Sequence, residues 1–230
     1  MPAHNAPRPL LMARAALFDL DGTLIDSEPR SRELWRRLFT RHGLECGEEL
    51  LARFSGRRSG EVIEEHLPRF GRHTTVEQVR QELTALNGAP DLPPVRLVLG
   101  ANRLLQRLRR HGVALAVVTS GGRAYADEHL TRCGIASYFT TVVSAEDVIH
   151  GKPDPEGYLL ACRRLGVTVG EVVVFEDSAA GLRAARRAGA RCLAVGQAAR
   201  SPVLCRMADH AVEDLARAPV TGFATSRRES

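Results

Sequence analysis

The strongest constraint on the fold of this chain is a regular alternation between short apolar runs and helical patterns. The apolar runs are AALFDL (15–20), VALAVVTS (113–120), TTVVSAE (140–146), EVVVFED (171–177) and RCLAVG (191–196). They are aliphatic or β-branched and do not alternate with polar residues, which is typical of strands buried on both faces of a sheet. Strands that alternate with helices form a parallel sheet covered on both sides. We therefore expect an α/β, Rossmann-like domain.

Helical patterns occupy the intervals between these runs, at about 101–111, 123–133, 155–165 and 179–188. A glycine closes each pattern, as is common where the residue after a helix takes a positive φ. The glycines are Gly112, Gly134, Gly166 and Gly189. They predict where the four helices end.

The stretch 27–92 interrupts the alternation. It contains helical patterns and no convincing strand, and the segment GAPDLPPV marks its exit. We expect a small α-helical cap domain at 27–92, inserted after the first strand of a core domain made of 14–26 and 93–216. The terminal segments 1–13 and 217–230 are expected to be flexible.

Side chains with useful chemistry follow four of the predicted strands. In an open parallel sheet, functional groups collect beyond the carboxyl ends of the strands. Carboxylates at high density repel one another unless a cation lies among them, and oxygen ligands without histidine or cysteine favour Mg²⁺. The sequence therefore predicts a Mg²⁺ site at this edge of the sheet. The residues are Asp19 and Asp21, Thr119 and Ser120, Lys152, and Glu176 and Asp177.

Lys152 is the only lysine among 32 lysine and arginine residues. A compositional bias toward arginine explains the other basic residues but not this exception. An ammonium is a compact charge with rotatable donors, whereas a guanidinium is a wider planar fork. The exception indicates that position 152 requires an ammonium.

The net charge of +5 raises nucleic acid as a partner. The arginines are scattered over several helical patterns, however, and aromatic residues that could stack on bases make up only 5% of the chain. No apolar stretch approaches the roughly 18 residues of a membrane span, and the first residues do not resemble a signal peptide. The five cysteines lack metal-ligand spacing. We expect a cytoplasmic protein that binds neither nucleic acid nor membrane.

Four stretches resemble the haloacid dehalogenase superfamily of phosphohydrolases, in the subgroup with a small helical cap. They are FDLDGTLIDSEP, VVTSG, GKPDPEGY and VFEDSAAGLRAARRAGA, and in this order they span about 16–197. The likeness is greatest to sugar-phosphate phosphatases and β-phosphoglucomutase-like proteins. It implies a Mg²⁺-dependent hydrolase of a small phosphomonoester.

The resemblance implies roles for the carboxylates. Asp19 attacks phosphorus and becomes an aspartyl-phosphate, while Asp21 is the general acid and base. Mg²⁺ is held by the Asp19 carboxylate, the Asp21 backbone carbonyl and Asp177. Glu176 is either a further ligand or a group that supports the site without touching the metal.

The resemblance also implies how substrate is held. Thr119 and Ser120 bind oxygens of the phosphoryl group, and Lys152 offsets negative charge between those oxygens and Asp19. The cap segment SGRRSGEVIEEHL resembles one that reaches substrate in sugar-phosphate members. Arg57 or Arg58 contacts a polar substrate there, or both arginines face solvent.

Three alternatives stay open at this point. Phosphoglycolate phosphatase and β-phosphoglucomutase use nearly the same residues, and the mutase returns the phosphoryl group to sugar. A phospho-accepting or binding module would keep the site without turnover. Dehalogenation is disfavoured because it leaves Asp21 and Asp177 without a role. We expect a monomer or a weak homo-oligomer.

Overall fold

The computed structural model describes residues 13–54 and 56–219. Its strands are β1 (Ala15–Phe18), β2 (Ile25–Asp26), β3 (Arg96–Leu97), β4 (Ala114–Val118), β5 (Thr141–Val143), β6 (Val172–Glu176), β7 (Arg191–Val195) and β8 (His210–Val212). Its α-helices are α1 (Glu28–Arg41), α2 (Glu48–Phe54), α3 (Ser59–His66), α4 (Val76–Asn87), α5 (Ala101–Arg110), α6 (Arg123–Arg132), α7 (Glu156–Leu165), α8 (Ala179–Ala188), α9 (Gly196–Arg200) and α10 (Pro202–Cys205). Turns of 3₁₀ helix occupy Leu67–Phe70, Ala136–Tyr138, Ala145–Asp147, Val169–Glu171 and Leu215–Arg217.

Six strands form one parallel sheet in the order β5-β4-β1-β6-β7-β8. Strand β1 lies between β4 and β6, so Phe18 pairs with Val117 on one side and with Phe175 on the other. Neighbouring residues of β1 enter opposite cores: Phe18 packs with α5 and α6, whereas Leu17 packs with α7 and α8. The predicted α/β fold with helices on both faces is confirmed.

The predicted elements of the core agree closely with the structure. Each of the five predicted strands is present, one to four residues shorter than its apolar run, and helices α5 to α8 match the four helical patterns. The four glycines after these helices all have positive φ. Strand β8 and the short β2–β3 pair were not predicted, because two or three residues are too few to show a pattern.

A helical unit lies between β2 and β3. Helices α1 to α4 pack around a cluster of their own, in which the ring centroids of Trp35 and Phe54 are 5.0 Å apart and those of Phe39 and Phe70 are 5.2 Å apart. The antiparallel pairing of Ile25 with Leu97 joins the entry and exit of this unit. Helix α2 was missed by the sequence analysis.

The structure describes only the inner edges of the two terminal segments. Segments 1–12 and 220–230 lie outside the described residues, so their predicted flexibility is not addressed. At the inner edges Ala13 and Ala218 are buried, and the Arg107 guanidinium donates to the Ala218 carbonyl at 2.6 Å. Across 13–54 and 56–219, no helix has both the length and the apolar character that a membrane span requires.

Candidate active site

The ends of β1, β4 and β6 bring the predicted carboxylates and hydroxyls to one edge of the sheet. Backbone hydrogen bonds extend past the strands, since Asp19 N–H donates to the Phe175 carbonyl at 3.0 Å and Thr119 N–H to the Val143 carbonyl at 2.9 Å. Asp19 and Thr119 are both buried. The adjacency of the three strands therefore places residues about a hundred positions apart in one site.

Lys152 joins two carboxylates in the middle of this site. Its ammonium donates to Asp19 Oδ1 at 2.6 Å and to Glu176 Oε1 at 2.5 Å. Only 7% of the lysine is exposed. Burial opposes its charge, but Asp19 and Glu176 outweigh that effect and raise the pKa of Lys152. The ammonium expected from the sequence is thus held charged beside Asp19.

Glu176 is fully buried and its carboxylate is saturated with donors. Oε1 accepts from Lys152 and from the Tyr158 hydroxyl at 2.8 Å, and Oε2 accepts from the N–H and hydroxyl of Ser178. A Cβ on Gly181 would overlap Glu176, so this glycine makes room for the carboxylate. The arrangement favours support of Lys152 over direct contact with a metal. Tyr158 was missed because its helical spacing resembles that of a core residue.

Asp19 and Asp177 each keep one buried oxygen, Oδ2 and Oδ1 respectively, that has no hydrogen-bond partner among residues 13–54 and 56–219. Ligand atoms of Asp19, Glu176 and Asp177 lie within 4.8 Å of one another. Burial, opposed by Lys152, raises the pKa of Asp19 to about 7, and burial with the charges of Asp19 and Glu176 raises the pKa of Asp177 well above its usual value. A divalent cation would favour the ionised carboxylates and satisfy both oxygens, so these residues fit Mg²⁺.

Asp21 lies on the loop that follows β1, and one of its oxygens receives two hydrogen bonds. The Ser27 hydroxyl donates to Oδ1 at 2.5 Å, and the Tyr125 hydroxyl donates to the same oxygen at 2.6 Å. Sequence analysis missed Tyr125, which lies 104 positions from Asp21 and carries no local signal.

Thr119 and Ser120 differ in what their hydroxyls contact. Thr119 Oγ1 accepts from the Gly121 N–H at 2.9 Å, which shapes the loop after β4. Ser120 instead donates to the Gly56 carbonyl in the helical unit at 3.0 Å. A Cβ on Gly56 would overlap the Ser178 hydroxyl. The segment at Gly56 therefore touches the loops that follow both β4 and β6.

The chain is similar to known proteins in both sequence and fold. The family model described as haloacid dehalogenase-like hydrolase matches residues 16–195, from within β1 to the end of β7. The chain belongs to this family. The resemblance found in the sequence is thereby confirmed.

Several family members are similar over most of their length. Validoxylamine A 7′-phosphate phosphatase of Streptomyces hygroscopicus subsp. limoneus is 45% identical over 182 residues, which cover 79% of this chain and 85% of that protein. Hexitol phosphatase A of Escherichia coli (strain K12) is 34% identical over 196 residues, covering 84% and 88%. The crystal structure of CbbY from Rhodobacter sphaeroides in complex with phosphate has a TM-score of 0.74 and 26% identity, covering 90% and 96%. Together with family membership, these matches confirm the predicted enzyme class, a phosphatase that hydrolyses phosphoric monoesters.

The two cap arginines considered for substrate binding lie in different environments. The Arg58 guanidinium donates to the carbonyls of Ala145 and Val148 at 3.0 Å and of Ile149 at 3.2 Å. It therefore anchors the helical unit to the core. Arg57 forms an ion pair with Glu65 at 2.7 Å. It also lines a cavity of about 700 Å³ between the helical unit and the core, together with Glu28, Lys152 and Asp177.

Proposed function

We propose that this phosphatase hydrolyses a phosphorylated polyhydroxylated metabolite, such as a sugar, polyol or cyclitol phosphate, by way of an aspartyl-phosphate on Asp19. One observation carries the proposal: Asp19 is buried against a charged lysine, while its second oxygen has no hydrogen-bond partner in the described part of the chain. A carboxylate held in this way has one oxygen beside a positive charge and one oxygen free for a metal. The names of two relatives support the substrate class, since one specifies a hexitol and the other validoxylamine A 7′-phosphate.

Asp19 is the proposed nucleophile. Oδ1, the oxygen beside Lys152, forms a bond to phosphorus while the bond from phosphorus to the alcohol oxygen breaks. Asp21 gives its proton to the departing alcohol. A water molecule then attacks phosphorus, Asp21 takes a proton from that water, and the bond between phosphorus and Asp19 breaks to release inorganic phosphate.

Mg²⁺ would be held by Asp19 Oδ2, Asp177 Oδ1 and the backbone carbonyl of Asp21. When bound, it supplies neutralisation of the negative charge on the carboxylates and the phosphoryl group. Lys152 adds a fixed positive charge on the other side of Asp19, and Glu176 keeps that lysine in place.

The 700 Å³ cavity lined by Arg57, Lys152 and Asp177 is proposed to receive the substrate. Thr119 and Ser120 line a smaller cavity that Lys152 also lines. Thr119, Ser120 and Lys152 are proposed to hold the phosphoryl oxygens, and Arg57 a polar group of the alcohol. Because Ser120 donates to Gly56 here, its hydroxyl would have to turn to reach phosphate. We propose that residues 27–92 act as a cap that excludes water over the core formed by 14–26 and 93–216.

The proposed setting is the cytoplasm, with a small phosphomonoester as partner. All five cysteines are free, and two of them, Cys162 and Cys192, are buried. Cysteines that form no disulfide are typical of proteins in a reducing compartment.

The test is a screen of phosphorylated metabolites with MgCl₂, in which release of inorganic phosphate is followed beyond one equivalent per enzyme. Asp19→Asn is the matched blank, because it keeps the size of the side chain and removes the nucleophilic charge. We expect sustained release with sugar or polyol phosphates, and loss on addition of EDTA that excess MgCl₂ reverses. Sustained turnover by Asp19→Asn would refute the proposed nucleophile. Conversion of β-glucose 1-phosphate to glucose 6-phosphate without phosphate release would identify a mutase instead.

A further inference from the structure

Tyr125 reaches the same carboxylate that the proposed mechanism uses as acid and base. Its hydroxyl donates to Asp21 Oδ1 at 2.6 Å, and the Ser27 hydroxyl donates to that oxygen at 2.5 Å. Oδ2 of Asp21 accepts no hydrogen bond from the described part of the chain. The two oxygens of one carboxylate are thus made chemically different by their surroundings.

The tyrosine is itself held firmly. It lies in the first turn of α6, and its ring meets the ring of His129 edge-on, with centroids 4.4 Å apart. A Cβ on Gly121 would lie 3.0 Å from the Tyr125 ring, so a glycine at 121 gives the ring its space. Burial, with the nearby Asp21 charge, raises the pKa of Tyr125, which keeps its hydroxyl a donor throughout the neutral range.

We propose that Tyr125 is a positioning residue that, with Ser27, fixes the Asp21 carboxylate so that Oδ2 exchanges the proton with the alcohol and the water. A carboxylate that accepts two hydrogen bonds on Oδ1 cannot rotate without breaking both. The proton is then carried by the oxygen that remains free. This inference rests on the acid–base role proposed for Asp21.

The positioning role of Tyr125 predicts which substrates are hydrolysed more slowly without it. An alkyl phosphate releases a strongly basic alkoxide unless a proton arrives as the bond breaks, so its hydrolysis needs a well-placed acid. p-Nitrophenyl phosphate releases a stable phenolate and needs that proton much less. Misplacing Asp21 should therefore slow alkyl phosphates selectively, whereas a general loss of structure should slow both classes alike.

The experiment compares Tyr125→Phe with the native protein, using β-glycerophosphate and p-nitrophenyl phosphate with saturating MgCl₂. General acid–base catalysis contributes about 10²- to 10⁴-fold, so partial misplacement should lower kcat for β-glycerophosphate by at least about 10-fold. We expect less than about 3-fold loss for p-nitrophenyl phosphate, with KM values for both nearly unchanged. Tyr138→Phe is the matched control, because it removes a surface hydroxyl that bonds only to Asn102 among the described residues.

A second variant separates positioning from folding. Ser27→Ala removes the other donor, and Ser27→Thr keeps a hydroxyl. We expect Ser27→Ala to reproduce the selectivity, Ser27→Thr to restore much of kcat, and the double variant with Tyr125→Phe to show non-additive losses. Equal losses on both substrates, or none, would overturn the role of Tyr125. Sustained turnover by Asp19→Asn would instead overturn the proposed function, so the two failures are distinguishable.

Discussion

Gly22 and Asp177 approach so closely that a methyl group on the glycine would overlap Asp177 Oδ2. Gly22 also has φ of +81°, a conformation that side chains disfavour. The loop after β1 can therefore pass over the carboxylate proposed to bind Mg²⁺ only because residue 22 has no side chain.

Gly22→Ala is expected to lower kcat/KM by at least about 100-fold, because it displaces both Asp177 and the loop that carries Asp21. Mg²⁺ titrations of activity should shift to higher concentration. Gly43→Ala is the control: Gly43 also has positive φ, but a Cβ there meets nothing within 4 Å. That variant should lose about 1–2 kcal/mol of stability, because alanine disfavours positive φ, and should keep its activity. Similar activities for both alanine variants would contradict the steric argument.

Lys152→Arg tests whether position 152 requires an ammonium. The lysine is enclosed by Asp19, Glu176 and Tyr158, and its nitrogen lies 2.5–2.6 Å from two carboxylate oxygens. A planar guanidinium would need more width than this, so we expect kcat to fall at least about 100-fold although the charge is kept. The exposed Arg132→Lys exchange, on α6, should leave kcat unchanged. Near-native turnover by Lys152→Arg would show that charge alone suffices.

Arg58→Ala tests the anchor between the helical unit and the core. Loss of the guanidinium frees three carbonyls in the segment 145–149, which ends three residues before Lys152. We expect kcat/KM to fall by about 10-fold or more, with faster amide hydrogen exchange over 145–152. Arg132→Ala, which removes only a surface ion pair with Glu128, is the control. Unchanged exchange in Arg58→Ala would mean that the anchor does not order this loop.

Asp147→Asn tests a pH-dependent part of stability away from the site. Burial opposes the charge of Asp147, but Arg164 and the Ser144 cap prevail and hold its pKa well below the usual range. Because the folded pKa is depressed, the stabilisation is present above the unfolded pKa of about 3.9 and is lost as pH falls through the folded value. We expect Asp147→Asn to lower the free energy of unfolding by about 1.5–3 kcal/mol at pH 7, and by less at pH 3. Asp127→Asn, at an exposed position of α6, should change little at either pH, and a difference independent of pH would contradict this account.

Sequence patterns were sufficient for the parts of the site that lie at strand ends. The ends of β1 and β6 place Asp19 and Asp177 by strand order alone, and the single lysine marked position 152. The sequence carries no comparable pattern for contacts between distant segments. Tyr125 and Tyr158 each follow ordinary helical spacing, and only the packing of α6 and α7 against the sheet brings their hydroxyls to Asp21 and Glu176.

Arg58 shows the same limit in the helical unit formed by α1 to α4. Two neighbouring arginines at 57 and 58 are equivalent in a sequence, yet one lines the cavity and the other binds core carbonyls. Which of them turns inward depends on where α3 begins and on how the loop at 145–149 lies beneath it. That loop lies 87 to 91 positions from Arg58 in the sequence, so the segment around Arg58 does not by itself determine the contact.

The burial of Lys152 determines how the protein reacts with reagents that modify lysine. Since no other lysine exists in the chain, reagents that acylate or reductively alkylate lysine side chains have only this one target, with 7% of its surface within reach. Modification there would block the ammonium next to Asp19. The rate of chemical inactivation would therefore report how often the cavity beside Lys152 opens. Attachment of the protein to an amine-reactive resin through this lysine would, for the same reason, inactivate the enzyme.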